Sequence, residues 1–155
     1  MNLETIVERF RERTVAVAGD MVADVYIFGK PIRLSREAPV PIVRFDGQST
    51  VPGSAANTVY NLLALGARTL PFGAVGDDSE GLGLVEVFKG AGADLRGLAI
   101  SPGRQTTSKT RILAGDDHIS KQQVVRIDKE GPSGLDRDEE RRILDALEAA
   151  LPSLD

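Results

Sequence analysis

The feature that most constrains this chain is an alternation broken in two places. Short apolar runs at 14–19 (TVAVAG), 68–76 (RTLPFGAVG) and 94–100 (DLRGLAI) read as buried strands. Between and around them lie helical segments. Residues 3–12 place Leu3, Ile6, Val7 and Phe10 on one face. In 55–65, Ala55, Val59, Leu62 and Leu63 share a face, and Gly66 is the expected stop. A third helix, with Ser79 as its expected cap, carries Leu82, Val85 and Phe88 and ends at Gly90. A fourth, 139–151, carries Ile143, Leu144, Leu147 and Leu151. Strand, helix, strand, helix, strand is the rhythm of an α/β fold with a parallel sheet.

Two stretches interrupt that rhythm. VADVYIFG (22–29) and PVPIVRFDG (39–47) read as half-exposed strands, and Pro39 and Pro41 put the second at an edge or in a lid. SKTRILAG (108–115) and KQQVVRID (121–128), joined by the polar loop DDHIS, read as a hairpin. Together they predict a small second sheet standing off the core. About three core strands are in hand where such sheets average roughly five to six. The expectation is therefore a chain cut off after its last helix.

Composition removes several functions. A formal charge of −4 provides no global basic field for nucleic acid or anionic lipid. The chain has no cysteine, which excludes a disulfide scaffold, a cysteine zinc site and a thiol nucleophile and suits a reducing cytoplasm. The N-terminus lacks the apolar core of a signal peptide, and no stretch has the roughly 18 apolar residues of a membrane span. The first strand ends AGDMVAD rather than G-x-G-x-x-G, and Gly29-Lys30 is followed by Pro31, so neither the dinucleotide nor the P-loop fingerprint is present. The single histidine, His118, sits in a polar loop and reads as solvated; a transition-metal site is not expected.

What remains is a set of polar groups near turns and strand ends. Asp24 follows the first strand on the face of Val22 and reads either as a surface acid or as an acceptor for sugar hydroxyls. In PGSAANTVYNLLALGA (52–67), Gly53 and Ser54 form a bare turn and Asn57 follows it; this is either a helix cap or a place where a ligand meets backbone N–H groups. Lys109 and Arg111 share one strand face, as do Arg126 and Asp128. If the hairpin brings these faces together, the result is a cationic patch with one acid, either a solvated ion-pair face or a phosphate site.

The motifs GD-x-x-x-D (19–24), REAPVPIV (36–43), PGSAANTVYNLLALGA (52–67), VGDDSEG (75–81), TSKTRIL (107–113) and QQVVRID (122–128) occur in that order. Over residues 3–145 the set resembles the ribokinase-like (PfkB) carbohydrate kinases. Within them it is most similar to the heptose 7-phosphate kinase/heptose 1-phosphate adenylyltransferase branch.

The resemblance implies a three-layer α/β core with a mainly parallel sheet, incomplete here, and a β lid formed by about 22–47 and 108–128. Residues 1–155 would be the N-terminal portion of the kinase domain. It implies ATP as co-substrate with Mg2+, both bound mainly by a half absent from this chain. The catalytic aspartate, in a Gly-Ala-Gly-Asp turn, is expected beyond residue 155, so the chain alone is expected to be inactive. The implied substrate-binding residues are Asp24, Gly53, Ser54, Asn57, Lys109, Arg111, Gln123, Arg126 and Asp128. The implied substrate is a sugar phosphate, best matched by heptose 7-phosphate, and the implied partner is a second copy bound through the lid. A non-catalytic sugar-binding or dimerising module, a truncated gene product, and another sugar or nucleoside as substrate are the alternatives. Ser54 stands where the family usually has a second glycine, and Val25 where the heptose branch is often polar.

Overall fold

The computed structural model describes residues 2–115 and 121–155. The polar loop 116–120, with His118, lies outside the described residues. The core is a three-stranded parallel sheet, β1 (Thr14–Ala18), β4 (Arg68–Gly76) and β5 (Leu98–Ser101), in the order β1-β4-β5. Central β4 is buried almost throughout, as its unbroken apolar run requires when both faces are covered. Pro71 is tolerated there because the β5 ladder starts only at Gly73. β1 is the exception to expectation: it is an edge strand and only half-buried.

Helices α2 (Ala55–Ala64) and α3 (Ser79–Gly90) cover one face of the core, where Ala56, Val59, Val75, Leu84, Val85 and Phe88 form the main cluster. Helix α4 (Arg137–Ala150) covers the other, burying Ile143 and Ala150 against Leu70, Phe72 and Ala99. Three layers result, as the resemblance implied. The short α1 (Leu3–Glu8) tightens into a 3-10 turn over Arg9–Glu12 instead of continuing as one helix.

The phase of two helices departs from expectation. In α3 it is Leu84 that is buried with Val85 and Phe88, while Leu82 is exposed. In α4 the inward face is Ile143, Ala146, Leu147 and Ala150, and Leu144 and Leu151 point outward. The cap of α3 is Asp78, whose side chain accepts from the Gly81 amide at 2.9 Å, and not Ser79, the first helical residue. Asp136 and Glu139 form a reciprocal capping box at the start of α4. Residues 95–97 form a 3-10 turn, so the third core strand is confined to Leu98–Ser101.

The interrupting stretches do form a second sheet. β2 (Met21–Leu34), β3 (Pro41–Ser54), β6 (Ser108–Ala114) and β7 (Gln122–Lys129) pair in the order β3-β2-β6-β7. β3, with its prolines, lies at an edge. β2 runs antiparallel to β3 and parallel to β6, and β6 runs antiparallel to β7. At its base this sheet sits on the core: Met21, Ala23 and Val25 pack with α2 and α3.

Candidate sugar site on the lid

Register decides which lid residues share a face. Asp24 is opposite Lys109 on β6 and Val51 on β3, Lys109 is opposite Asp128, and Arg111 is flanked by Tyr26 and Arg126. Paired residues point to the same side of a sheet. Asp24, Tyr26, Lys109, Arg111, Arg126 and Asp128 therefore line one face, while Ala23, Val25 and Ile27 line the other. The two pairs of cation-bearing positions do meet, as the alternation in each strand requires.

Within this face the charges are sorted into pairs. Arg111 donates from Nη1 to Asp24 Oδ1 at 2.5 Å, with both side chains about four-fifths buried (22% and 19% exposed). The Asp24 hydrogen bond raises the Arg111 pKa further, so the guanidinium is charged at every working pH. The same guanidinium lies 5.3 Å from the Tyr26 ring centre, and Tyr26 stacks on Phe28 with centroids 6.4 Å apart. Arg126 is bound to Asp128 through two contacts, 2.9 and 3.1 Å, on an exposed strand. Lys109 is half-buried, and among the described residues it has no ion-pair partner. It stands between two carboxylates already committed to arginines.

The glycine turn abuts this cluster. Gly53 pairs with Val22, and a Cβ built on it would lie 2.6 Å from Asp24 Oδ2. The bare turn thus admits the carboxylate against the backbone. Ser54 follows with φ 52° and ψ −129°, the conformation of the first central residue of a type II′ turn, which favours glycine. Its side chain makes no capping bond to α2, so the helix begins without a side-chain cap. Asn57 is exposed in the first turn of α2. Gln123 is opposite Leu113, four pairs along the strands from Asp24, or about 13 Å.

The strand pattern contained residues that the sequence reading passed over. Tyr26 and Phe28 continue the Asp24 alternation; Tyr26 lies against Arg111, and the Phe28 ring centre lies 4.8 Å from the Lys121 ammonium. Asp78, Thr106, Glu80 and Lys129 join the base of the lid to the core. Thr106 donates its amide to Asp78 Oδ2 at 2.8 Å, and Lys129 binds Glu80 at 2.7 Å. The D-x-x-G spacing of Asp78 and Gly81 was the available signal for the cap.

A second cavity region opens at the carboxyl ends of β1 and β4. It has a volume of about 390 Å³ and is lined by Gly19, Asp20, Gly73, Arg104, Thr107 and Gly134 among others. Ligands of open parallel sheets bind at such strand ends. Among the described residues no group of three or more His, Cys, Asp or Glu is placed to hold a metal ion. No described helix is long and apolar enough to cross a membrane.

The fold is thus a parallel three-layer core with a four-stranded second sheet that carries a four-fifths-buried acid beside a glycine turn. The fold is that of ribokinase-like kinases among solved structures, and the sequence is similar to bifunctional HldE proteins. It is 41% identical over 143 residues to the bifunctional protein HldE of Helicobacter acinonychis, covering 92% of this chain and 30% of that protein. It is 40% identical over 148 residues to the bifunctional protein HldE of Geobacter sulfurreducens, covering 96% of this chain and 29% of that one. The chain thus spans about 30% of the length of these relatives. Among solved structures it is similar to Arabidopsis thaliana ribokinase complexed with ribose and ATP, with TM-score 0.60 and 19% identity over 84% of this chain and 42% of that one. It is also similar to ribokinase from Cryptococcus neoformans in complex with ADP, with TM-score 0.51 and 18% identity over 77% and 35%. No family model matches the chain.

Proposed function

We propose that the chain is the sugar-binding part of a cytoplasmic kinase that moves the γ-phosphate of ATP to a hydroxyl of a sugar phosphate. The substrate that fits the resemblance best is D-glycero-β-D-manno-heptose 7-phosphate, giving the 1,7-bisphosphate on the way to ADP-heptose and the lipopolysaccharide core. In that transfer the sugar hydroxyl oxygen bonds to the γ-phosphorus, the bond to the β-phosphate oxygen breaks, and ADP leaves. The resemblance assigns the base that takes the hydroxyl proton to an aspartate outside these 155 residues.

One observation carries the reading. Asp24, fixed by Arg111 and seated on Gly53, shares its face with Lys109, a half-buried ammonium without a carboxylate partner among the described residues. An oriented carboxylate accepts hydrogen bonds from sugar hydroxyls. An unpaired ammonium about one strand spacing away takes a phosphate. Arg126 and Asp128 border the same face, and Gln123 reaches only a long substrate; Asn57 stands exposed in the first turn of α2.

A second reading rests on a different observation. The opposite lid face leaves Val125 and Ile127 exposed beside half-buried Ile112. A second copy of the chain is the natural cover for such a strand face, and the chain then acts as a dimerising, sugar-binding module. Calorimetric titration with heptose 7-phosphate and separately with ATP, followed by an ADP-release assay, tests both. Sugar phosphate binding with ADP release in the full-length protein supports the kinase. Sugar phosphate binding without ADP release leaves the module, and no sugar phosphate binding defeats both.

A further inference from the structure

The lid is attached to the core unevenly. On the β2–β3 side the attachment is apolar, through Ala23 and Val25 against Leu84 and Val85. On the β6–β7 side it is polar and converges on one short turn, residues 76–81, between β4 and α3. Three acids of this turn each hold a different point of the lid's support. Asp77 accepts from the Gly103 amide at 3.1 Å. Asp78 accepts from the Thr106 amide at 2.8 Å, and the Thr106 hydroxyl accepts from the Gly76 amide, also at 2.8 Å. Glu80 binds Lys129, the last residue of β7, at 2.7 Å through Oε1, while Ser79 donates to its Oε2 at 2.6 Å.

The contact is close as well as polar. Thr106 is 2% exposed. A Cβ at Gly76 would lie 1.9 Å from the Arg104 carbonyl oxygen, and one at Gly81 would lie 2.6 Å from the Thr106 hydroxyl. The segment leading into β6 therefore rests directly on the backbone of the turn. Lys109 and Arg111 follow Thr106 by three and five residues, and Arg126 precedes Lys129 by three. At about 3.3 Å per residue these cations stand roughly 10–16 Å from their anchors. A pleated strand pair carries a shift at its base to its side chains with little loss.

We propose that the acidic turn 77–80 is the anchor that sets the position of the lid's cations, with Asp78 and Glu80 as positioning residues for Lys109, Arg111 and Arg126. The proposal rests on the reading of that face as a sugar phosphate site. Glu80 is the residue to change, because Asp78 also caps α3 and its loss would disturb the helix. Lys129→Met removes the same contact from the lid side.

The experiment uses the full-length protein and compares wild type, Glu80→Gln, Lys129→Met and the double reversal Glu80→Lys with Lys129→Glu. Amide hydrogen exchange is followed in peptides covering 104–114 and 122–130, with a β4 peptide as reference, alongside KM and kcat with heptose 7-phosphate. Both single variants should speed exchange in β6 and β7 and leave β4 unchanged. KM for the sugar phosphate should rise by about tenfold while kcat changes by less than about twofold, the pattern of lost binding. The double reversal should recover both readouts. Unchanged exchange in β6 and β7, or faster exchange with wild-type KM, overturns the anchor. A wild type that fails to bind the sugar phosphate overturns the substrate reading and the positioning role with it; a wild type that binds it while the variants are silent overturns the anchor alone.

Discussion

The Asp24 carboxylate occupies the space that a side chain at Gly53 would take: a Cβ there would lie 2.6 Å from Oδ2. The glycine and the acid are 29 positions apart in sequence and are brought together by the antiparallel pairing of β2 with β3. Gly53→Ala should therefore push the carboxylate off Arg111 without opening the core. Sugar phosphate affinity should fall by more than about tenfold, since a carboxylate–arginine pair is worth roughly 1.5–3 kcal/mol. Calorimetric titration of the folded variant measures this; wild-type affinity would show that Asp24 does not touch the sugar.

Ser54 holds a backbone conformation that glycine adopts freely, at φ 52° and ψ −129°. Among the described residues it is the one non-glycine with positive φ. Strain of this kind costs on the order of 1–3 kcal/mol. Ser54→Gly should raise the unfolding free energy by about 1 kcal/mol, the gain being reduced by the greater freedom of glycine in the unfolded chain. Urea unfolding reads it directly, and a loss of stability would mean that the hydroxyl holds the turn.

Lys109 and Arg111 sit two residues apart on one face, yet the structure gives them different work. Arg111 is committed to Asp24, and Lys109 has no carboxylate partner among the described residues. Lys109→Ala should weaken a phosphorylated sugar by about tenfold or more and leave the unphosphorylated sugar unaffected. Arg111→Ala should weaken both, because it strands a carboxylate that is four-fifths buried. Titrating each variant with the two sugars separates phosphate recognition from hydroxyl recognition.

Much of this was legible in the sequence because it rests on local pattern. The β4 run and the helix that follows the glycine turn appear where apolar spacing puts them, β4 because both its faces are covered and the helix because one of its faces is. β2 and β3 extend to 14 residues each, well beyond the runs visible in the sequence. The added part of β2, through exposed residues such as Arg33 and Leu34, is held by pairing with β3 across a bulge, and the added part of β3, 48–54, by pairing with 21–27 at the base; neither carries a hydrophobic period to read. The phase of α3 was misread because Leu82 and Leu84 are both apolar and only the lid decides which one is covered. Pairs such as Arg104 with Glu139 join positions 35 apart and have no local signature. The capping box that holds the same Glu139 does have one, in Asp136-x-x-Glu139.

Glu139 is almost fully buried, at 1% exposed, and binds Arg104 at 2.6 Å while also accepting from the Asp136 amide at 2.9 Å. Burial pushes its pKa up, but the Asp136 amide and Arg104 bind the charged form, and the net direction is below the usual glutamate range. Arg104→Ala leaves that charge uncompensated and should cost about 3–5 kcal/mol in urea unfolding. The pH dependence has a definite sign. A depressed folded pKa contributes stability above the unfolded value, near 4.3, and the contribution is lost as pH falls through the lower folded value. Asp78 and Glu80 shift in the same direction. The melting temperature should therefore be flat from pH 7 to about 5 and fall steeply below about 4. Glu139→Gln should start lower and fall less; a parallel curve would remove Glu139 from the acid transition.

Val125 and Ile127 lie on the lid face opposite the charged cluster and remain 43% and 51% exposed, with half-buried Ile112 beside them. Helices α2 and α3 cover the equivalent positions of β2 but do not reach the outer part of β7. Apolar side chains exposed at adjacent alternating positions of an edge strand invite a second strand surface, and a symmetric dimer is the arrangement that covers both copies at once. Light scattering at micromolar concentration should give a dimer for the wild type. Ile127→Glu places a charge in the centre of that patch and should shift the protein to monomer by weakening association at least tenfold, while circular dichroism stays unchanged because the side chain is exposed in the monomer. Arg126→Ala, one residue away but on the charged face, should leave the dimer intact. A monomeric wild type, or a dimer indifferent to Ile127→Glu, would place the contact elsewhere on the chain.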